Sequence, residues 1–168
     1  VNYLYEGMYQ FFNKNYVSLK KIFPDLKINI VSRVEPYGKL KDITIKENDI
    51  NFLTWVEDLH ELCSSATAIV LTDLNGTGQK NRTIMSMSSG RPVVGSKFAF
   101  QGIGINNNVH GFIYTCDEEL NNYLIQIFKD PILASKVGNE GKKFTFSNFS
   151  MNSVSKKWLS LYSNISNW

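Results

Sequence analysis

A glycine-rich turn between an apolar run and an amphipathic segment constrains the fold of this chain more than any other feature. The apolar run 68–71, AIVL, is short and rich in branched residues, which predicts a buried strand. The turn 75–79, NGTGQ, follows it, and Gly76 and Gly78 permit the backbone angles of a tight turn. We therefore expect the chain to turn sharply just after a buried strand.

A helix and a second strand are predicted directly after this turn. Residues 80–89 suit a helix, because their apolar members recur at helical spacing. Gly90 fits the position just beyond a helix end, Pro92 prevents continuation, and the apolar pair 93–94 begins the next strand. The order strand, turn, helix, strand predicts an α/β fold with parallel strands.

Two basic residues, Lys80 and Arg82, fall in the first turn of the predicted helix. A helix N-terminus carries unpaired N–H groups and a partial positive charge, so cations there are favourable only when an anion binds beside them. The alternative is a solvated first turn with incidental basic residues, since glycine-rich turns are common. The motif is neither a P-loop nor the dinucleotide fingerprint, because Asn81 occupies the place of the third glycine.

A longer pattern is carried by the run that begins at Asn51, NFLTWVEDLHELCSSATAIVLTDLNGTGQKNRTIMSMSSGRPVVGSKFAFQGI. It resembles the donor-binding C-terminal domain of retaining GT-B glycosyltransferases of family four, which carries G-x-V-x-D-L-x-x-L-x-x-x-A, then GxGxxxK, then EAMAxGxPVV. Thr54 replaces the first glycine, and Arg82 stands where the family often has lysine. The matching residues are Val56, Asp58, Leu59, Leu62, Ala66, Gly76, Gly78, Met87, Gly90, Pro92, Val93 and Val94.

The resemblance implies an α/β fold with a doubly wound parallel sheet of Rossmann type, the C-terminal half of a GT-B fold. We expect residues 1–168 to form a single donor-nucleotide-binding domain with a C-terminal helix at about 150–165. The chain begins at Val1 without an initiator methionine, so we interpret it as a fragment. The acceptor-binding domain precedes this one in GT-B enzymes, so we expect that domain as a partner and the fragment alone to be inactive.

The donor predicted by resemblance is a nucleotide-diphosphate sugar, with its diphosphate at the turn 75–79. In such a site Lys80 and Arg82 neutralise the charge that grows on the leaving group, so no metal and no cofactor is predicted. By the same resemblance, the loop after the predicted strand 50–53 is expected to contact the nucleotide base, and the loop 98–101 is expected to approach the sugar. Gly7 is expected to be the turn after the first predicted strand and to lie at the same edge of the sheet. The candidate donor-binding residues are Gly7, Trp55, Val56, Gly76, Thr77, Gly78, Lys80, Arg82, Met85 and Gln101.

Three positions depart from the family pattern and leave the catalytic residues unassigned. The family often carries two glutamates where this chain has Thr77 and Met85, and many members have glutamate at the place of Gln101. Essential groups can also come from the acceptor domain. The alternatives are therefore a non-catalytic binding or scaffolding module with the same fold, and a nucleotide- or phosphosugar-binding domain that controls a partner enzyme.

Composition excludes several other classes of protein. The 168 residues are 43% apolar and 20% charged, as in soluble globular domains, and the net charge of +3 is too small to indicate nucleic-acid binding. Cys63 and Cys116 form no metal-binding motif and are expected to be free thiols in the cytoplasm. No apolar stretch is long enough to span a membrane, which leaves peripheral membrane association open.

The remaining elements are predicted from periodicity and turn residues. Strands are expected at 1–5, 26–31, 50–53 and 109–114. Helices are expected at 10–23, 57–64, from Asp117 as N-cap to about 128, at 131–138 with Gly138 as its end, and at the C-terminus. The interval 33–49 is expected to be irregular. An aromatic stripe in the first helix, comprising Phe12, Tyr16, Leu19 and Phe23, is expected in the core.

Overall fold

The computed structural model describes residues 2–46 and 48–165. The strands are Ile28–Val31 (β1), Ile50–Leu53 (β2), Ile69–Leu71 (β3), Val93–Ser96 (β4) and Phe112–Tyr114 (β5). The helices are Asn2–Gln10 (α1), Val17–Ile22 (α2), Gly38–Lys46 (α3), Leu59–Ser65 (α4), Asn81–Ser88 (α5), Asp117–Lys129 (α6), Pro131–Phe149 (α7) and Met151–Ile165 (α8). A π-helical turn, Phe11–Tyr16, joins α1 to α2.

The strands pair only in parallel in the part of the chain that the structure describes. β1 pairs with β2, with Ile28 opposite Ile50, and β3, β4 and β5 form a three-stranded sheet in that order. Helices connect β1 to β2, β2 to β3 and β3 to β4, as parallel neighbours require. The predicted α/β class with parallel strands is confirmed.

Helices cover both faces of the three-stranded sheet. Val94 belongs to a buried cluster with Phe12, Leu19 and Leu120, from the π turn, α2 and α6. Its neighbour Val93 belongs to a second cluster, with side chains from α5 and the loop after β4. Adjacent residues of a strand point to opposite faces, so these clusters are the two sides of one sheet.

The predicted first strand, 1–5, is wrong: Asn2–Gln10 is a helix, and Val1 lies outside the described residues. Helical spacing continues backward from the aromatic stripe, since Met8 and the half-buried Tyr5 pack against the same core as Phe12. Gly7 is therefore not a turn residue. It is buried inside α1, where a Cβ atom would lie only 1.8 Å from the backbone oxygen of Thr72.

The helix predicted at 10–23 is present as the π turn and α2, which ends before Pro24. Its aromatic stripe is confirmed as core, because Phe12 and Tyr16 are each only 3% exposed and Leu19 is 1% exposed. Because the π turn inserts a residue into the helix, both Phe11 and Phe12 are buried.

The interval 33–49, predicted to be irregular, contains α3, whose Leu40 is fully buried. The sequence did not predict the start of α3, because the helix begins at a glycine with a positive φ of 52° and no N-capping residue precedes it. The Tyr5 hydroxyl stabilises this start from α1: it donates to the Tyr37 carbonyl at 2.6 Å and accepts from the Leu40 N–H at 3.0 Å.

The helix predicted to end at Gly138 instead runs to Phe149. Gly138 does not terminate it but allows close packing, since a Cβ atom there would lie 2.2 Å from the Gly90 oxygen. α7 therefore lies directly against the turn that ends α5, and supports it from behind.

Two boundaries near β5 also differ from prediction. The strand begins at Phe112, not at residue 109, because Val109 and His110 form a turn closed by hydrogen bonds to the Asn106 carbonyl. Asp117 is the first residue of α6 and not its N-cap. Its carboxylate instead accepts from Lys14 Nζ at 2.8 Å, joining α6 to the π turn.

The C-terminal helix predicted at about 150–165 is confirmed as α8. Much of its apolar side is exposed, including Met151 at 83% and Leu159 at 67%, and Trp158 stacks on Tyr162. Within residues 2–46 and 48–165, none of the helices combines the length and the apolar character that crossing a bilayer requires.

Candidate functional site

The glycine-rich turn lies at the carboxyl edge of the three-stranded sheet, between β3 and α5. Gly76 and Gly78 both have positive φ, 126° and 72°, which ordinary residues rarely adopt. Lys80 is the N-cap of α5 and provides no side-chain cap, so the helix starts at Asn81. Ligands of open α/β sheets bind at this edge, and the turn places backbone N–H groups there.

Hydrogen bonds join the glycine-rich turn to the loop that follows β4. Lys80 Nζ donates to the Phe98 carbonyl at 2.6 Å, and Gln79 Nε2 donates to the Gly102 carbonyl at 3.4 Å. Thr83, fully buried in α5, donates to the Ala99 carbonyl at 2.8 Å. The predicted residues Gly76, Thr77, Gly78, Lys80 and Gln101 are thus brought to one edge, with Gln101 next to the bonded Gly102.

An ion pair between Arg82 and Asp73 joins α5 to the segment that follows β3 at this edge of the sheet. Asp73 is only 1% exposed, and its carboxylate accepts a hydrogen bond from the Arg82 guanidinium, whose side chain is 40% exposed. The Ser96 hydroxyl, at the end of β4, donates to the Asp73 carbonyl. Arg82 therefore has a buried structural partner, which sequence inspection missed. The signal was an acidic residue two positions after a buried strand.

A cavity of about 1140 Å³ opens beside this ion pair, and its lining includes Asp73, Arg82, Met85 and Ser86. Met85, one of the predicted donor contacts, is 37% exposed there. The cavity extends from the edge of the sheet down between β1 and β3, where its walls are apolar.

Three other predicted residues lie elsewhere. Trp55 and Val56 follow β2, and neither lines this cavity, although Trp55 is 82% exposed and presents its indole ring to solvent. Gly7 is buried in α1 where the helix packs on Thr72, so it has no side chain and no open surface to offer a ligand. Its position beneath Thr72 makes it part of the support for the turn.

Two titratable groups near the cavity, Cys63 and Tyr114, have raised pKa values. Burial raises the pKa of the Cys63 thiol, so it stays protonated and unreactive at neutral pH. Burial, and then the charge of Asp117, raises the pKa of Tyr114 to about 12. Among the residues that the structure describes, no three His, Cys, Asp or Glu side chains gather as a metal site would require.

Comparison with known families gives a match over most of the chain. The sequence profile described as glycosyl transferases group 1 matches residues 4–130. A search of curated proteins finds no match.

Solved structures share the fold at low sequence identity. The Anabaena protein Alr3699/HepE, solved in complex with UDP, superposes with a TM-score of 0.75 at 18% identity over 89% of this chain and 44% of its own. A Rickettsia africae glycosyltransferase gives 0.75 at 19% identity, covering 94% of this chain and 45% of that one. The C-terminal domain of the group 1 protein LpcC from Francisella tularensis gives 0.70 at 18% identity, over 86% of this chain and 80% of that domain. The predicted resemblance to GT-B C-terminal domains is confirmed, and the chain spans less than half of the two longer proteins.

Proposed function

Because the chain belongs to the glycosyl transferases group 1 family, we propose that it is the donor-binding domain of a glycosyltransferase that uses a nucleotide-diphosphate sugar. The family match supports transferase chemistry. The UDP complex of the Anabaena relative supports a nucleotide as part of the donor.

The observation that carries this proposal is the position of the Lys80 ammonium over the glycine-rich turn. Lys80 Nζ lies 3.3 Å from where a Cβ atom would stand at Gly76, and Gly76 and Gly78 leave the turn unobstructed. A diphosphate on this turn would meet backbone N–H groups, the positive end of α5 and the Lys80 ammonium together. Asp73 fixes the direction of the neighbouring Arg82 guanidinium and neutralises most of its charge, so the positive charge at this turn comes mainly from Lys80.

We propose that the transfer is retaining. A separate acceptor-binding domain binds the acceptor and supplies the remaining catalytic groups. The GT-B active site is a cleft between two domains, so residues 1–168 alone are expected to show no sugar transfer. An assay of the purified chain with radiolabelled UDP-glucose and simple acceptors measures this. Turnover above a heat-denatured control would contradict it.

Lys80→Ala is expected to weaken UDP binding about tenfold or more. A charge-assisted hydrogen bond contributes roughly 1.5–3 kcal/mol, and part of this is already directed to the Phe98 carbonyl. Calorimetric or NMR titration measures the change. Lys97→Ala is the matched control, since it removes the same charge from an exposed position in the adjacent loop. Equal losses in both variants would indicate a general electrostatic effect and reject the assignment.

A non-catalytic binding module is the second candidate, and the observation that favours it is Met85. This thioether faces the cavity where family members often have a glutamate that holds the nucleotide ribose, and sulfur is a weak acceptor. Because no carboxylate is present at this position, the unmodified chain is expected to bind nucleotides weakly.

Met85→Glu is expected to tighten UDP binding by about tenfold, because a carboxylate accepts hydrogen bonds from both ribose hydroxyls at roughly 1.5–3 kcal/mol. A glutamate here also lies three residues after Arg82 in α5, where it can form an ion pair. Titration with 2′,3′-dideoxy-UDP separates the two effects, since only a ribose contact distinguishes the ligands. An equal gain for both nucleotides would place the ribose elsewhere.

A further inference from the structure

The sequence contains one Asn-Gly pair, Asn75-Gly76, and it lies in the glycine-rich turn of the candidate site. Asparagine is among the residues that proteins lose most readily to chemical degradation. The backbone nitrogen of the following residue can attack the side-chain carbonyl carbon of an asparagine, which closes a five-membered ring. A glycine in the following position favours this attack, because it has no Cβ atom to hinder the approach or to restrict the backbone.

The surroundings of Asn75 leave both reacting groups free to move. Asn75 is exposed, and residues 72–80 belong to no helix or strand. Within residues 2–46 and 48–165, neither the side-chain amide of Asn75 nor the N–H of Gly76 has a hydrogen-bond partner. No bond to the rest of the described chain therefore has to break before the ring can close.

Other asparagines of the chain are held more firmly. Asn81 is also exposed, but it is the first residue of α5, so its backbone is helical. Asn51 lies in β2, and its side-chain amide donates to the side-chain oxygen of Asn29 at 3.1 Å. The side-chain oxygen of Asn107 accepts two backbone hydrogen bonds, the shorter at 2.7 Å. Asn75 differs from these residues in its following glycine, its irregular backbone and its unbonded side chain.

The Lys80 ammonium lies beside the nitrogen that would attack. Lys80 Nζ is 3.3 Å from the place where a Cβ atom would stand at Gly76. Ring closure requires the Gly76 nitrogen to lose its proton, and it places negative charge on the side-chain oxygen of Asn75 in the intermediate. A fixed positive charge nearby stabilises both changes. The cation that favours a diphosphate at this turn therefore also favours ring closure.

We propose that Asn75 is a site of spontaneous deamidation. The Gly76 nitrogen bonds to the side-chain carbonyl carbon of Asn75, the bond from that carbon to the amide nitrogen breaks, and ammonia leaves with the proton of the Gly76 nitrogen. Water then opens the ring at either of its two carbonyl carbons. One opening leaves an aspartate at this position, and the other leaves an isoaspartate, in which the backbone runs through the former side chain. Both products carry a carboxylate in place of the neutral amide.

The new carboxylate changes the charge of the turn. It repels a diphosphate bound there and competes with it for the Lys80 ammonium, so UDP affinity is expected to fall about tenfold. An isoaspartate also lengthens the backbone of the turn and is expected to lower the affinity further. This consequence rests on the proposed function, whereas the deamidation itself does not. The reaction limits how long the turn keeps its affinity for a diphosphate.

The test incubates the purified chain at neutral pH and follows each asparagine by peptide mass spectrometry, so nucleotide binding is not involved. Asn75 is expected to convert at least about tenfold faster than Asn81 in the same sample, because only Asn75 has an unhindered nitrogen in position to attack. Isoaspartate is expected among the products, since it arises by opening of the ring and not by direct hydrolysis of the amide. Equal rates at the two residues, or aspartate alone as the product, would overturn the proposal.

The matched control is Asn75→Gln, which keeps the amide but can close only a less favoured six-membered ring. Its UDP affinity is expected to stay constant during incubation, whereas that of the parent chain falls. Asn75→Asp introduces the charge without incubation and is expected to show the tenfold loss at once. A fall as fast in Asn75→Gln as in the parent would place the reaction elsewhere. If Asn75 converts but neither the aged chain nor Asn75→Asp loses affinity, the deamidation site stands and the proposed position of the diphosphate is wrong.

Discussion

Arg82→Ala is expected to lower the free energy of unfolding by about 2–4 kcal/mol, a large fraction of a domain's total stability. The reason is its partner: Asp73 is 1% exposed, so removing the guanidinium leaves a buried carboxylate without its counter-charge. We place the expected effect below the largest values for buried pairs because the Arg82 side chain is 40% exposed. Urea unfolding followed by circular dichroism measures it.

The double variant Arg82→Ala with Asp73→Asn tests the cause of that loss. An amide keeps the shape of the carboxylate without its charge, so the double variant is expected to recover a substantial part of the lost stability. Lys80→Ala is the matched control, because among the described residues the Lys80 ammonium bonds to the Phe98 carbonyl and not to a buried carboxylate. A double variant as unstable as Arg82→Ala alone would show that the buried charge is not the reason.

This ion pair also changes how nucleotide binding should be tested. From the sequence, Lys80 and Arg82 look equivalent, since both are basic and both lie in the first turn of a helix. Of these two residues, Lys80 can be replaced without leaving a buried charge unpaired, whereas Arg82 cannot. Loss of UDP affinity in Arg82→Ala must therefore be measured at a concentration and temperature where the variant is fully folded.

The local chemistry of the chain was sufficient to predict the central part of the fold. Gly76 and Gly78 adopt the positive φ angles that their place after an apolar strand indicated, and Gly90, at 80°, ends α5 as predicted. These features depend on backbone freedom within a few residues, which is visible in the sequence. The same reasoning placed β4 after Pro92 and the aromatic stripe in the core.

The features that were missed depend on contacts between distant residues. Asp73 and Arg82 lie on either side of the turn, and only the folded chain shows that one of them is buried. Gly138 was interpreted as a helix end, although its function is to let α7 approach Gly90. A glycine has the same appearance in sequence whether it permits a positive φ or a close approach. The packing partner decides which, and it comes from another element.

Gly7→Ala is expected to destabilise the protein by about 3 kcal/mol, against the usual preference of helices for alanine. Helix propensity alone favours the change by about 1 kcal/mol. The new Cβ atom, however, would lie 1.8 Å from the Thr72 backbone oxygen and 2.9 Å from its carbonyl carbon. Neither atom can move without shifting β3 or α1, so overpacking is expected to outweigh propensity.

The matched control is Glu6→Ala, which introduces an alanine one residue earlier in α1 at an exposed position. It is expected to alter stability by no more than about 0.5 kcal/mol. The expected disturbance from Gly7→Ala also has a location. Thr72 precedes Asp73, so NMR shifts should change at Asp73 and at its partner Arg82, linking α1 to the candidate donor site. If Gly7→Ala instead stabilises the chain as propensity alone predicts, α1 does not pack on Thr72.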